Sequence, residues 1–197
     1  MNLSALDGRL LALREKAKEG RDPTAADETL AYLLNVAEAR KPRKILEIGA
    51  AEGLTSCALL LCSHAHLTAI EADADRAARA REHFRAFGVE DRAVLYEGDA
   101  GEILPMMTDT FDFIFLDGPK VQYRNYLSDC KRMLQVGGVL ISDDVLLFGW
   151  VRGEPPKKRR MLAEHLREYL RMLEADPGFD TQVLEIAEGL AVSTKIR

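Results

Sequence analysis

Short apolar runs alternate along the chain with longer segments whose apolar residues recur at helical spacing. The runs fall near Lys44–Ile48, Leu67–Glu71, Ala93–Glu97, Phe111–Leu116 and Gly138–Ser142, with amphipathic stretches between them. This alternation predicts a parallel sheet covered by helices. Right-handed crossovers then make an α/β, Rossmann-like, doubly wound sheet the expected fold, with ligand chemistry at the carboxyl ends of its strands. Leu3–Lys18 and Ala25–Ala39 read as extra N-terminal helices, the second entered through Pro23-Thr24 with Asp27 and Glu28 in its first turn. Lys157–Glu174 reads as another helix, closed by Asp176-Pro177-Gly178. Gln182–Ile186 and Leu190–Ile196 flank Ala187-Glu188-Gly189 as a closing β-hairpin, which makes seven strands in a mostly parallel sheet. No repeat, low-complexity tract or linker calls for a second domain. Residues 1–197 are therefore expected to form one domain, a helical cap over 1–42 and a Rossmann-like core over 43–197. A chain of this length buries about 70% of its unfolded surface and needs no disulfides.

Charge and cysteines narrow the setting. The formal net charge of −5 is mild and excludes neither small substrates nor nucleic acid, because binding depends on where charge lies. Cys57, Cys62 and Cys130 form no CxxC pair and fall in segments read as helical, which suits a reducing cytoplasm. Met1–Gly20 interleaves charges with leucines, unlike a signal peptide, and no later run is long enough to span a membrane. Cys62, His64 and His66 have spacing short enough for zinc, but with no fourth ligand nearby they are expected to play ordinary structural roles.

The densest chemical signal is Lys44-Ile45-Leu46-Glu47-Ile48-Gly49-Ala50-Ala51-Glu52-Gly53-Leu54-Thr55, where an apolar strand breaks into small residues and opens a helix. Small residues let a ligand approach the backbone, and a helix start offers free N–H groups. Acidic Glu47 argues against a phosphate and for a cationic ligand, an ammonium or a sulfonium. Glu71 ends the next strand about twenty residues on, a position from which a carboxylate accepts hydrogen bonds from ribose hydroxyls. Alternatively, Glu71 caps the following helix alongside Asp73. Ala51 and Leu54 stand where a dinucleotide fingerprint has glycines, and Gly98-Asp99-Ala100 makes a third small acidic turn placed to approach an adenine. Asp117 ends the fourth strand, and Asp143 and Asp144 end the fifth. Carboxylates converging there repel one another unless a cation intervenes, and an all-oxygen set suits Mg²⁺, Mn²⁺ or Ca²⁺. The plainer reading makes Asp143 or Asp144 a helix cap or a loop acid.

From Ile45 to Val151 the chain resembles the cation-dependent, catechol-type class of S-adenosylmethionine-dependent O-methyltransferases. The resemblance rests on Leu46-Glu47-Ile48-Gly49, Ile70-Glu71, Gly98-Asp99-Ala100, Phe113-Ile114-Phe115-Leu116-Asp117, Lys120, and Gly137-Gly138-Val139-Leu140-Ile141-Ser142-Asp143-Asp144-Val145-Leu146. It implies that Glu47, Gly49, Thr55, Glu71, Ala100 and Asp117 line the methyl-donor site, and that Asp117, Asp143 and Asp144 bind the metal. The family normally carries Asn where Asp144 stands. Lys120 resembles the family's general base, which takes a proton from a metal-coordinated hydroxyl before in-line attack on the sulfonium methyl.

The C-terminal third resembles a narrower bacterial group, the enzymes that methylate 5-hydroxyuridine at the tRNA wobble position. Lys157-Lys158-Arg159-Arg160, the helix end from Tyr169-Leu170 to Pro177, and Glu188-Gly189-Leu190-Ala191-Val192-Ser193 carry that likeness. It makes the tRNA anticodon region the expected partner, the adjacent oxygens of the hydroxylated base chelating a cation as a catechol does. Trp150–Ala175 holds seven Lys or Arg against four Glu, a locally basic face for phosphates. The opposing reading is a solvated helix face balanced by Glu164 and Glu168. Phe148 and Trp150 follow the Asp pair and either wall the acceptor pocket or close the core. The Leu3-Leu6-Leu10-Leu13 stripe is a packing face or part of a homodimer contact, since the related enzymes are commonly dimeric. Competing functions are methylation of a small catechol or phenylpropanoid, an NAD-dependent oxidoreductase, and a non-catalytic nucleotide-binding module.

Overall fold

The structure, a computed structural model, describes residues 3–20 and 22–197; Met1, Asn2 and Arg21, part of the expected cap, lie outside the described residues. The chain divides after Ala100 into two compact units. The first runs through a 3₁₀ turn at Leu3–Ala5, then α1 (Gly8–Gly20), α2 (Asp27–Arg40), β1 (Lys44–Ile48), α3 (Leu54–Leu61), β2 (His66–Glu71), α4 (Ala74–Ala86) and β3 (Ala93–Glu97). The expected helix over Leu3–Lys18 is broken at Asp7, whose carboxylate accepts the Arg9 backbone N–H at 2.8 Å and so caps a helix that starts late. Of the leucine stripe, Leu6 and Leu10 are buried and Leu3 and Leu13 half-buried. Buried Arg14 ties α1 to the entry of α2 through Thr24 Oγ1, the Ala25 carbonyl and Asp27. β2 lies between β1 and β3, parallel to both, with Ile48 opposite Ile70 and Glu71 opposite Glu97. This register brings the ends of all three strands level.

The second unit holds α5 (Ala100–Ile103, begun at the last residue of the first unit), β4 (Phe111–Leu116), α6 (Tyr123–Met133), β5 (Leu134–Ser142), α7 (Arg160–Ala175), β6 (Phe179–Leu184) and β7 (Leu190–Lys195). Its strands are ordered β4-β5-β7-β6, the first pair parallel and the others antiparallel. β5 begins earlier than the pattern at Gly138 suggests. Phe111 pairs with Leu134 but Phe113 with Val139, an irregularity at Gly137, whose φ of 82° only glycine adopts freely. β6 also starts early, because Gly178 leads straight into buried Phe179, and Glu185 and Ile186 join the loop to β7. The seven strands and their covering helices form the expected α/β, Rossmann-like fold. Among the described residues no helix is long and apolar enough to cross a membrane.

Candidate active site

In the first unit the small-residue turn after β1 is bolted to β2. The Gly49 and Ala50 N–H groups both donate to the Ile70 carbonyl, at 2.9 and 3.1 Å. Gly49, Ala51 and Gly53 have φ of 90°, 47° and 71°, the left-handed region that lets the chain reverse before α3. A Cβ on Gly53 would stand 2.8 Å from the Phe84 ring, so glycine there also lets α4 approach. Glu47 is 1% exposed and accepts a hydrogen bond from Ser56 Oγ in the first turns of α3, a partner that a buried carboxylate requires. Glu71 accepts the Ala51 N–H at 2.7 Å on one oxygen and the Asp73 N–H at 2.9 Å on the other. The helix cap is Asp73, which accepts the Arg76 N–H at 2.9 Å; Glu71 instead joins two turns, and each of its oxygens retains a second lone pair for a ligand hydroxyl. Thr55 is buried at the start of α3, and Ala100 is buried at the start of α5. On the outer side Glu52 pairs with Arg79 at 2.6 Å, and its carbonyl meets His83 Nδ1 at 2.8 Å. Neither Ser56 nor these two basic residues stand out in the sequence, because their partners lie far along the chain.

In the second unit Leu116 pairs with Ser142, so Asp117 and Asp143 are the first residues beyond two paired strand ends. The Asp143 N–H donates to the Leu116 carbonyl at 3.0 Å, and the Asp144 N–H to Asp143 Oδ1 at 2.8 Å. Lys120 Nζ lies 2.7 Å from Asp117 Oδ1 and 3.1 Å from Asp144 Oδ2. Buried Tyr123 places its hydroxyl 2.9 Å from the Leu116 carbonyl and 3.1 Å from that of Asp143, holding both strand ends from below. Its ring meets Tyr169 edge-on at 5.3 Å, and Tyr169 shares a 2.6 Å hydrogen bond with Ser142. Burial, then Asp117 and Asp144, push the Asp143 carboxyl up to about 7. Burial likewise raises Asp117, against the pull of Lys120. Burial works to lower Lys120, but Tyr123, Asp117 and Asp144 outweigh it and hold the ammonium well above the usual lysine range.

These groups hold three carboxylates against one ammonium. Such an all-oxygen, electron-rich set fits a hard divalent cation by its chemistry. It is not a finished cage: among the described residues no group of three or more His, Cys, Asp or Glu is arranged to hold a metal, and the Lys120 ammonium stands between Asp117 and Asp144. Burial pushes the thiols of Cys57 and Cys130 up to about 12, so neither is a nucleophile at neutral pH.

Comparison with known proteins decides the family. A model of the O-methyltransferase family matches residues 10–196. This chain belongs to that family. Catechol O-methyltransferase B of Danio rerio is 33% identical over 175 residues, 80% of this chain and 64% of its own length. Caffeoyl-CoA O-methyltransferase of Populus kitakamiensis is 26% identical over 185 residues, 88% of this chain and 77% of its own. Among solved structures, the S-adenosylhomocysteine-bound methyltransferase of Podospora anserina superposes with a TM-score of 0.87 at 25% identity, covering 98% of this chain and 89% of that one. The protein is thus an S-adenosylmethionine-dependent O-methyltransferase of the caffeoyl-CoA and catechol type, and the NAD-dependent oxidoreductase reading falls away.

In this O-methyltransferase the chain beyond Asp144 is strapped to the β6–β7 hairpin tip. Val145 N–H donates to the Gly189 carbonyl at 3.0 Å, Leu146 and Leu147 N–H to the Glu188 carbonyl at 2.8 and 3.1 Å, and Phe148 N–H to the Glu188 carboxylate. Leu147 and Phe148 are left-handed, with φ of 40° and 51°. Phe148 does not close the core: it is 65% exposed, its ring 5.0 Å from that of Trp150. The opposing reading, a helix face balanced by Glu164 and Glu168, holds for part of the basic segment and not for Lys157–Arg160. Glu164 pairs with Arg167 and Arg171, and Glu168 with Arg124. Lys157, Lys158, Arg159 and Arg160 are exposed and form no ion pair among the described residues.

Proposed function

We propose that this O-methyltransferase moves the methyl group of S-adenosylmethionine to the 5-hydroxyl of 5-hydroxyuridine in the anticodon region of a tRNA. The observation that carries the acceptor is the run Lys157–Arg160, four exposed cations that form no ion pair among the described residues, on a chain of formal net charge −5. Unpaired cations of this kind suit a phosphate backbone. In this reading Glu71 accepts hydrogen bonds from the donor's ribose hydroxyls, buried Glu47 favours its cationic amino-acid portion, and Gly49, Thr55 and Ala100 leave room along the turn and helix starts. Asp117, Asp143 and Asp144 would hold a hard divalent ion, which when bound lowers the pKa of a coordinated hydroxyl. Lys120 is the amine in place to take the hydroxyl proton. It can do so only when another positive charge satisfies Asp117 and Asp144, because those carboxylates keep it an ammonium here. Alignment of the oxygen with the sulfonium methyl then supplies the main rate advantage, with no covalent enzyme intermediate.

Mass spectrometry of tRNA nucleosides from cells lacking the protein tests the acceptor. Accumulated 5-hydroxyuridine with loss of its methyl ether supports the reading; an unchanged profile rejects it. The second reading, a small catechol or phenylpropanoid acceptor, is favoured by the names of the relatives above, and the same acids and lysine would serve it. Turnover of catechol with no effect on tRNA would select it.

A further inference from the structure

The loop from Asp143 to Gly153 carries a surface that the methyl-transfer chemistry does not use. Its outermost side chain is Phe148, 65% exposed and backed by the tilted ring of Trp150. Nothing in the unit covers that ring, yet the loop is held firmly. The hairpin tip bonds its first half, and Arg167 of α7 grips its second half by donating to the carbonyls of Trp150 (3.0 Å), Val151 (2.8 Å) and Gly153 (2.8 Å). Two adjacent non-glycine residues, Leu147 and Phe148, sit in the left-handed region, a strain that persists only where surrounding contacts impose it. The outcome is a large apolar ring pushed into solvent on a rigid support.

Arg167 lies midway along α7, and the start of that helix meets the end of the loop at Gly153. A cavity of about 380 Å³ lies there, lined by Gly153, Glu154, Pro155, Arg160, Met161 and Arg167. Met161 is 69% exposed beside Arg160, the last of the four unpaired cations. These cations stand at the N-terminal end of a 16-residue helix with no acid in its first turn, where the helix dipole repels them. They are therefore no device for helix stability. An aromatic shelf on the loop and unpaired cations on the helix that Arg167 ties to it supply what single strands are held by, bases stacking on the rings and phosphates following the charge.

The geometry points to a single-stranded RNA segment on this surface, one base stacked on Phe148 over Trp150 and the neighbouring phosphates met by Lys157, Lys158, Arg159 and Arg160. This rests on the nucleic-acid reading of the acceptor and adds where the strand lies and what grips it. A lone small ring would use the shelf but has no need of the cations.

Trp150 is the chain's single tryptophan, so its fluorescence reports on the shelf directly. The full-length protein is titrated with an oligouridylate of about twelve nucleotides, within the usual span of a single-strand site. Saturable quenching of Trp150 is expected, with affinity falling steeply as salt rises. Phe148→Ala should weaken binding about tenfold, Phe148→Tyr should restore it, and replacing the four cations with Gln should weaken it further, with S-adenosylhomocysteine affinity by calorimetry unchanged throughout. Binding by anisotropy that survives Phe148→Ala, with Trp150 emission unmoved, overturns the shelf and leaves the nucleic-acid reading standing. No oligonucleotide binding in the wild type, alongside intact methyl transfer to catechol, overturns the nucleic-acid reading and this inference together. Equal competition by a matched duplex also overturns the stacking.

Discussion

At the residue scale the acids at the ends of β4 and β5 are held by the Lys120 ammonium and by one backbone N–H, contacts that a neutral amide of the same shape keeps in part. Asp117→Asn and Asp143→Asn should each lower kcat/KM for methyl transfer by at least about a hundredfold, the scale on which loss of a metal-binding or charge-stabilising group is felt. Calorimetry with S-adenosylmethionine should show donor affinity nearly unchanged in Asp143→Asn, whereas Asp117→Asn, at a position also assigned to the donor site, should weaken it. The Asp143 carboxyl titrates near 7 when folded, above the ordinary carboxylate value, so the folded state binds more protons than the unfolded one between about pH 4 and 7. Stability of the chelated protein should accordingly decline as pH rises through that window, and Asp143→Asn should flatten the decline; parallel melting curves of the two proteins from pH 5 to 8 would refute this. The three acids stand out in the sequence because each sits just beyond a strand end, whereas Lys120 is singled out by the family resemblance alone. Ser56 does not stand out, because a serine in an apolar helix gives no sign that it faces a buried glutamate from β1. Nor did the sequence reveal that Lys120 would be claimed by two carboxylates at once.

At the element scale the hairpin tip matters more than its length suggests. Gly189 has φ of 93°, and a Cβ there would stand 2.4 Å from Leu146 Cγ, against the loop that follows the Asp pair. Gly189→Ala is therefore strained both in its own backbone and in its neighbour, at a cost of about 1–3 kcal/mol. A melting midpoint lower by several degrees, together with a raised KM for the acceptor and unaltered donor affinity, is the expected result. An alanine variant with wild-type melting and wild-type KM would show that the tip does not support the loop. Strand positions were largely readable, since β1, β3 and β4 coincide with the apolar runs. The misplaced starts of β5 and β6 have local causes, a glycine irregularity in one and a turn feeding directly into a strand in the other. Periodicity alone carries neither signal. The break at Asp7 is likewise a side-chain hydrogen bond that competes with the helix, legible only once the acceptor of the Arg9 N–H is known.

At the scale of the whole molecule, fold class followed from the alternation of strand and helix, whereas the acceptor did not, because it depends on which charges remain after internal pairing. A count of Lys and Arg against Glu around α7 could not distinguish a solvated face from a binding face. Glu164 pairs with Arg167 and Arg171, and Glu168 with Arg124, which leaves Lys157–Arg160 without an ion pair among the described residues and available to the proposed acceptor. On a chain of formal net charge −5, affinity for a polyanion must come from such a local patch and must be screened by salt. A small neutral acceptor releases no counterions and feels little of this. The KM for tRNA should therefore rise by about tenfold or more between 50 and 200 mM salt, the behaviour of a few phosphate contacts, and the KM for catechol should change by less than about twofold over the same range. Adding EDTA should abolish both reactions and leave S-adenosylmethionine binding largely intact, because of the residues assigned to the donor only Asp117 is also assigned to the cation. If the two acceptors respond to salt alike, the Lys157–Arg160 run has no part in recognition. If EDTA spares turnover, the methyl transfer proceeds on protein groups alone, and Asp117, Asp143 and Asp144 serve only to hold Lys120 in its charged form.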